Sequence, residues 1–221
     1  MNRIAQYLVY PIVWLWIKPF FTLEFRNPEG FKQVVGKPAI IIANHVAFYD
    51  HFLLRLNPDW TKLDVFFMGV TRFNHWYMKI MWYTGIVPLV FFFFGVFIVI
   101  PGRGLAKNLE EPKRLLAKGK HIFIFPEGSM NVEGEIQPFK LGAAVLARET
   151  GMPVLPISYK IVREPGKRKK ILITLGEAMS FDMSQTAEEI RDAMQTRIKT
   201  MQAASVEAKP AAKLIASTET N

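Results

Sequence analysis

The sequence contains no cysteine. That absence removes disulfides, zinc–thiolate centres and a thiol nucleophile from the available chemistry, and it leaves the redox compartment undecided. Histidine is scarce, at four residues, and neither His75 nor His121 has a carboxylate at metal-ligand spacing, so no metal site is expected. Ser129 has no Gly-x-Ser-x-Gly elbow around it, which deprives a serine-hydrolase chemistry of its strained turn. Acidic residues are outnumbered, 19 Asp and Glu against 28 Lys and Arg, for a net charge of +9. A bilayer-spanning helix needs about 20 predominantly apolar residues. The apolar stretch over residues 86–100 has 15.

What is present points toward lipid. Half of the 221 residues are hydrophobic, 13% are aromatic, and Phe and Trp number 18 and 5. Mean hydropathy is +0.14, where a soluble protein of this size usually falls below zero. Part of the apolar surface is therefore expected to meet lipid or another subunit. Basic proteins are drawn to nucleic acid, anionic headgroups or phosphorylated substrates. The apolar excess, and the lack of any nucleic-acid-binding motif, favour the membrane over nucleic acid. The N-terminal apolar stretch is interrupted by Pro11, Lys18 and Pro19 and lacks an A-x-A-like cleavage site, so neither a secretory signal nor a spanning helix is predicted. Tyr7, Tyr10, Trp14 and Trp16 are residue types that collect at the membrane–water boundary. Residues 4–23 thus read as a helical anchor lying on the bilayer, the alternative being an N-terminal helix packed on the domain.

Further along, residues 38–43 form a short, fully apolar run rich in β-branched residues, as expected of a strand buried on both faces. Residues 65–68, 121–125, 154–158 and 171–175 read as further strands, and 48–56, 75–83, 105–118, 141–149 and 186–201 as helices. The run 86–100 fits a buried strand, a lipid-dipping loop or a re-entrant segment, and periodicity does not separate these. Residues 160–170 carry Arg163, Lys167, Arg168, Lys169 and Lys170 around Pro165-Gly166, a basic hairpin turn between two strands. From Ala203 onward the composition predicts a disordered tail. Strands alternating with helices indicate one α/β domain with a largely parallel central sheet flanked by helices.

Three constellations carry polar groups suited to chemistry. His45 and Asp50 follow the first buried strand. A histidine is the side chain suited to taking a proton from an alcohol near neutral pH, and a carboxylate on its far ring nitrogen fixes the tautomer. On an ideal helix, residues five apart lie about 140° from each other around the axis, so the pair meets only if His45 sits in a loop ahead of the helix bearing Asp50. Taken alone, the spacing also fits a loop histidine and a helix-terminal aspartate with no shared role. Phe125-Pro126-Glu127-Gly128-Ser129 stands at another strand end, where ligands gather in open α/β sheets. It also reads as an ordinary turn. Arg103, between Gly102 and Gly104, offers either a bidentate phosphate grip or a solvated turn.

In order, Asn44-His45-x4-Asp50, Gly102-Arg103, Phe125-Pro126-Glu127-Gly128-Ser129 and Val154-x-Pro156-Ile157 follow the four acyltransferase motifs, with Phe139-Lys140-x-Gly142-Ala143 between the last two. Over roughly residues 36–176 the chain resembles the 1-acylglycerol-3-phosphate (lysophosphatidate) acyltransferase family. The resemblance implies a glycerol-3-phosphate acyltransferase-like fold, with a membrane-interfacial anchor over residues 1–35, a catalytic domain over 36–202 and a tail over 203–221. It implies His45 as the base that activates an acceptor hydroxyl and Asp50 as its relay. Asn44, Arg103, Phe125, Pro126, Glu127, Gly128, Ser129 and Lys140 are the expected substrate-binding residues. The expected donor is an acyl-CoA or acyl carrier protein thioester with no cofactor, and the expected acceptor is lysophosphatidate at the cytoplasmic face of a membrane.

The chain departs from the family pattern at Ala47, where Ser is usual, in the eight-residue spacing of Gly95 and Arg103, and at Met130, where Arg is usual. Phe125-Pro126-Glu127-Gly128-x-x-Asn131 is also similar to tafazzin-type lysophospholipid acyltransferases, which implies a phosphodiester acceptor as the alternative.

Overall fold

A computed structural model of the chain describes Leu15 and residues 19–47, 49–70, 76–85, 88–89, 91, 95–131, 135–163 and 165–207. Its centre is a seven-stranded sheet in the order β1-β7-β6-β2-β5-β3-β4. The strands are β1 (Phe21–Arg26), β2 (Ile40–Ala43), β3 (Val65–Val70), β4 (Val96–Val99), β5 (His121–Ile124), β6 (Val154–Val162) and β7 (Lys169–Leu175). Five neighbours, β6-β2-β5-β3-β4, run parallel; β7 returns antiparallel to β6, and β1 runs parallel to β7. The carboxyl ends of β2, β5 and β6 therefore open on the same edge of the sheet.

The alternation of side chains along β2 builds both layers. Ile40 and Ile42 face one side, packing with residues of α3 (Leu105–Ala117), α4 (Gly142–Thr150) and α5 (Ala187–Glu207). Ile41 and Ala43 face the other, with Phe31, Leu53, Trp60 and Tyr159. Both faces of the strand are dry, which is why its sequence is a continuous apolar run and not an alternating one. Helix α4 stops where Gly151 adopts φ 63° and gives its N–H to the carbonyl of Ala147, a left-handed stop that glycine tolerates without strain. Helix α5 opens on a reciprocal cap: the Thr186 hydroxyl accepts from the Glu189 N–H at 3.2 Å, and Glu189 accepts from the Thr186 N–H at 2.7 Å. Its Ile190, Met194 and Ile198, spaced four apart, are buried against the sheet.

Several expected boundaries are corrected. The domain starts well before residue 36: β1 is an edge strand of the sheet, and the 3-10 turn Pro28–Val34 buries Phe31 and Val34 in the core. Residues 21–35 thus belong to the α/β domain and not to a separate anchor. Apart from Leu15, the expected anchor up to residue 18 lies outside the described residues. The expected helix over 48–56 is one α-helical turn, α1 (Asp50–Leu53), followed by a 3-10 turn (Leu54–Leu56). Of the run 86–100, residues 96–99 are edge strand β4 and residues 88–89 and 91 are helical. Helix α5 continues past Ala203 to Glu207, and Arg26 of β1 donates to the carbonyl of Ser205, so 203–207 is ordered helix. The remaining tail lies outside the described residues. Among the described residues no helix is long and apolar enough to cross a membrane.

Candidate active site

His45 stands just past the end of β2 and Glu127 just past the end of neighbouring β5. Between β2 and α1 the chain makes a non-helical turn, which removes the 140° separation an ideal helix would impose. The turn folds around the Asp50 carboxylate. Its Oδ2 accepts from His45 Nδ1 at 3.0 Å, from the Val46 N–H at 2.7 Å and from the Ala47 N–H at 2.8 Å. Asp50 is fully buried, whereas the His45 side chain keeps 18% exposure. Burial pushes the Asp50 carboxyl above its ordinary range, opposed by the His45 hydrogen bond and the two backbone donors. The tautomer that gives Nδ1–H to the carboxylate leaves Nε2 as the acceptor nitrogen of the ring.

The histidine is clamped on its other sides by the loop after β5. Its ring stacks on Phe125, with centroids 3.9 Å apart and planes inclined by 13°. Its N–H donates to Glu127 Oε1 at 2.8 Å and its carbonyl accepts from the Asn131 N–H at 2.8 Å. The second Glu127 oxygen accepts from the Gln137 N–H at 2.9 Å. Both oxygens of this buried carboxylate therefore hold backbone, joining the loop after β2 to the segment ahead of α4. Burial raises the Glu127 carboxyl, opposed by these two N–H groups.

Asn44 locks the opposite flank. Its amide donates to the Tyr159 carbonyl at 2.9 Å and accepts from the Tyr159 N–H at 2.7 Å, continuing the β2–β6 ladder by a side chain. The Tyr159 hydroxyl donates to the Asp50 carbonyl at 2.9 Å. Tyr159 and Gln137 were not singled out in the sequence, and Asn131 entered only as the end of the motif that begins at Phe125. For Tyr159 a signal exists, since a tyrosine inside a strand buried on both faces needs a partner for its hydroxyl.

The other expected site residues spread more widely. Pro126 is buried and its carbonyl accepts from the Lys140 N–H at 2.8 Å. Gly128 has φ 70°, and the Lys140 side chain lies so close over it that any Cβ there would collide with the lysine. Ser129 is exposed. Arg103 is exposed in the turn after β4, where its N–H bonds the Ile100 carbonyl at 3.2 Å. Strand β4 is three positions from β2 in the sheet, roughly 14 Å at the usual spacing of strands. The structure thus gathers His45, Asp50, Asn44, Phe125, Glu127 and Gly128 with Lys140 at adjoining strand ends, and leaves Arg103 apart. A cleft of about 240 Å³ opens beside the turn that holds Asp50, lined by Val46, Ala47, Tyr49, Met130, Ile161, Arg163 and Lys169.

A mostly parallel α/β sheet with a histidine–carboxylate pair at its carboxyl edge defines a protein equipped for general-base chemistry. The model of the family described as Acyltransferase matches residues 22–160, and the chain belongs to that family. It is 31% identical over 146 residues to the chloroplastic 1-acyl-sn-glycerol-3-phosphate acyltransferase BAT2 of Brassica napus, covering 64% of this chain and 38% of that protein. It is 26% identical over 169 residues to human 1-acyl-sn-glycerol-3-phosphate acyltransferase beta, covering 72% and 54%. The chain therefore spans roughly two fifths to half of the length of these curated relatives. The crystal structure of the 1-acyl-sn-glycerophosphate (LPA) acyltransferase PlsC from Thermotoga maritima has the same fold, with a TM-score of 0.62 at 18% identity over 94% of this chain and 79% of that one.

Proposed function

We propose that the chain transfers a fatty acyl group from an acyl thioester, of coenzyme A or acyl carrier protein, to the free hydroxyl of lysophosphatidate, giving phosphatidate. The observation that carries this reading is the 3.0 Å contact of His45 Nδ1 with buried Asp50, which leaves Nε2 as the acceptor nitrogen. The names of the relatives supply the acceptor class. The lipid hydroxyl gives its proton to His45 Nε2 as its oxygen bonds to the thioester carbonyl carbon. Backbone N–H groups of the loops at the strand ends meet the oxyanion. Collapse breaks the carbon–sulfur bond, and the departing thiolate takes the proton back from His45. The chain has no cysteine to carry an acyl thioester, which agrees with direct transfer. Glu127 and Asn44 act here as positioning residues, and the Lys140 ammonium supplies positive charge over Gly128.

Reaction takes place at a membrane surface, on its cytoplasmic face. Helix α2 (Trp76–Tyr83) leaves Trp76 73% exposed and Tyr83 86% exposed, with Ile80 uncovered between them. These positions, four and three apart, form one stripe, with aromatic residues of the kind that settle at a bilayer interface. An acceptor panel tests the reading: purified protein with acyl-CoA should acylate lysophosphatidate faster than lysophosphatidylglycerol or lysocardiolipin. A preference for either phosphodiester would replace this reading with the tafazzin-like one.

A further inference from the structure

Two cations of the β6–β7 hairpin, Arg163 and Lys169, stand in a place where structure alone gives them little reason to be. Ile161 pairs with Ile171 and Val162 with Lys170; the next step outward sets Arg163 opposite Lys169. Like charges directly across an antiparallel pair repel. Among the described residues no hydrogen bond or ion pair is made by either side chain, and the cleft that both line contains no carboxylate. The row leading to them begins at the active site. Tyr159 and Ile161 alternate onto one face of β6 and Arg163 follows its last residue, and Tyr159 is the residue whose hydroxyl holds the Asp50 carbonyl. The cleft is also lined by Val46 and Ala47, the two residues that follow His45 and whose N–H groups hold the Asp50 carboxylate. Met130 closes another side, next to Asn131, whose N–H binds the His45 carbonyl.

An apolar cleft with two cations at its rim, reaching to the residue after the base, fits an amphiphile with a phosphate near its reacting hydroxyl. We propose that Arg163 and Lys169 hold the phosphate of the acceptor lipid, with Val46, Ala47, Met130 and Ile161 against its glycerol and acyl portion. The guanidinium offers a two-pronged grip on phosphate oxygens and the ammonium a point charge. The inference rests on the acyltransferase reading for the identity of the acceptor. Coenzyme A also carries phosphates, so the donor is the competing source of the same chemistry.

Arg163→Gln, Lys169→Gln and the double variant distinguish these cases in the full chain. Both residues are exposed, so the melting temperature should stay within about 2 °C of the parent, as for surface changes in general. With lysophosphatidate in mixed micelles, the double variant should show KM raised roughly tenfold, the worth of a charge-assisted contact, with kcat nearly unchanged and the KM for acyl-CoA unmoved. Arg163→Lys with Lys169→Arg, which keeps both charges, should restore most of the loss. If the KM for acyl-CoA rises instead, the phosphate in the cleft belongs to the donor and the acceptor assignment is overturned. If neither KM changes by twofold, the cleft holds no phosphate. Equilibrium binding of radiolabelled lysophosphatidate micelles, measured without donor, separates this inference from the reaction. Binding that weakens about tenfold in the double variant, beside a wild type that transfers no acyl group, would uphold the cleft and overturn the proposed function. Binding unaffected by the substitutions would overturn the cleft.

Discussion

Asp50 holds three hydrogen-bond donors on a single oxygen, and its other oxygen, Oδ1, is buried without a partner among the described residues. The carboxylate therefore both orients His45 and ties down the turn that carries it. Asp50→Asn can set only a neutral oxygen before the three donors, a weaker acceptor than a carboxylate, and it buries an amide NH2 at the unpartnered Oδ1 position. Turnover should fall by roughly 10²–10⁴, the range of a positioned general base, with secondary structure retained by circular dichroism. The same residue gives a pH signature. Its folded-state pKa lies above the ordinary 3.8, so the native state holds the proton more tightly than the unfolded chain. The contribution of Asp50 to stability is then greatest below 3.8 and declines as pH rises from there through the folded value, becoming level above it. Glu127, raised above 4.5, slopes the same way. Lowered carboxyls such as Glu24 and Glu111 slope the other way, so the Asp50 contribution is read as a difference. Between pH 3 and 8 the denaturant midpoint of the wild type should fall with pH relative to that of Asp50→Asn, and a constant difference would contradict the raised carboxyl.

Between elements, the active edge depends on side chains that replace backbone ladder bonds. Asn44→Ala leaves the buried Tyr159 N–H unpaired, while the Tyr159 carbonyl keeps Gln202 at 3.3 Å. The variant should lose about 1–3 kcal/mol of stability, the penalty for one buried orphan group, and should lose turnover as β2 and β6 shift. Gly128→Ala introduces a side chain at φ 70° against Lys140 and should cost about 1–3 kcal/mol, checked by thermal melts. The buried strands β2 and β5 were legible because a strand dry on both faces must be apolar throughout. Edge strand β1 was absorbed into the preceding apolar stretch. Its own alternation was nevertheless readable: Phe21, Leu23 and Phe25 pack on the core, while Glu24 pairs with Arg26 at 2.9 Å and Lys170 at 2.9 Å. The His45–Asp50 meeting was legible as a condition on the loop. The roles of Asn44 and Glu127 as backbone clamps were not, because they depend on which strands lie side by side, and strand order is not written in spacing.

The whole molecule joins a net charge of +9 to an apolar stripe on α2, and the proposed reaction at a membrane surface would use both. Replacing Trp76 and Ile80 with Ser should weaken cosedimentation with phosphatidylglycerol vesicles several-fold without lowering the melting temperature, since both side chains are exposed. Raising salt should weaken binding further, because the +9 charge acts through a screened field. Unchanged cosedimentation would place the membrane contact elsewhere. The account as a whole turns on one group at the carboxyl edge of β2. Transfer of a radiolabelled acyl chain from acyl-CoA to lysophosphatidate by purified His45→Ala, beside the wild type, tests it most directly. The wild type should form phosphatidate rapidly, and the folded variant should lose at least about 10²-fold in rate. Transfer by His45→Ala at the wild-type rate would contradict it.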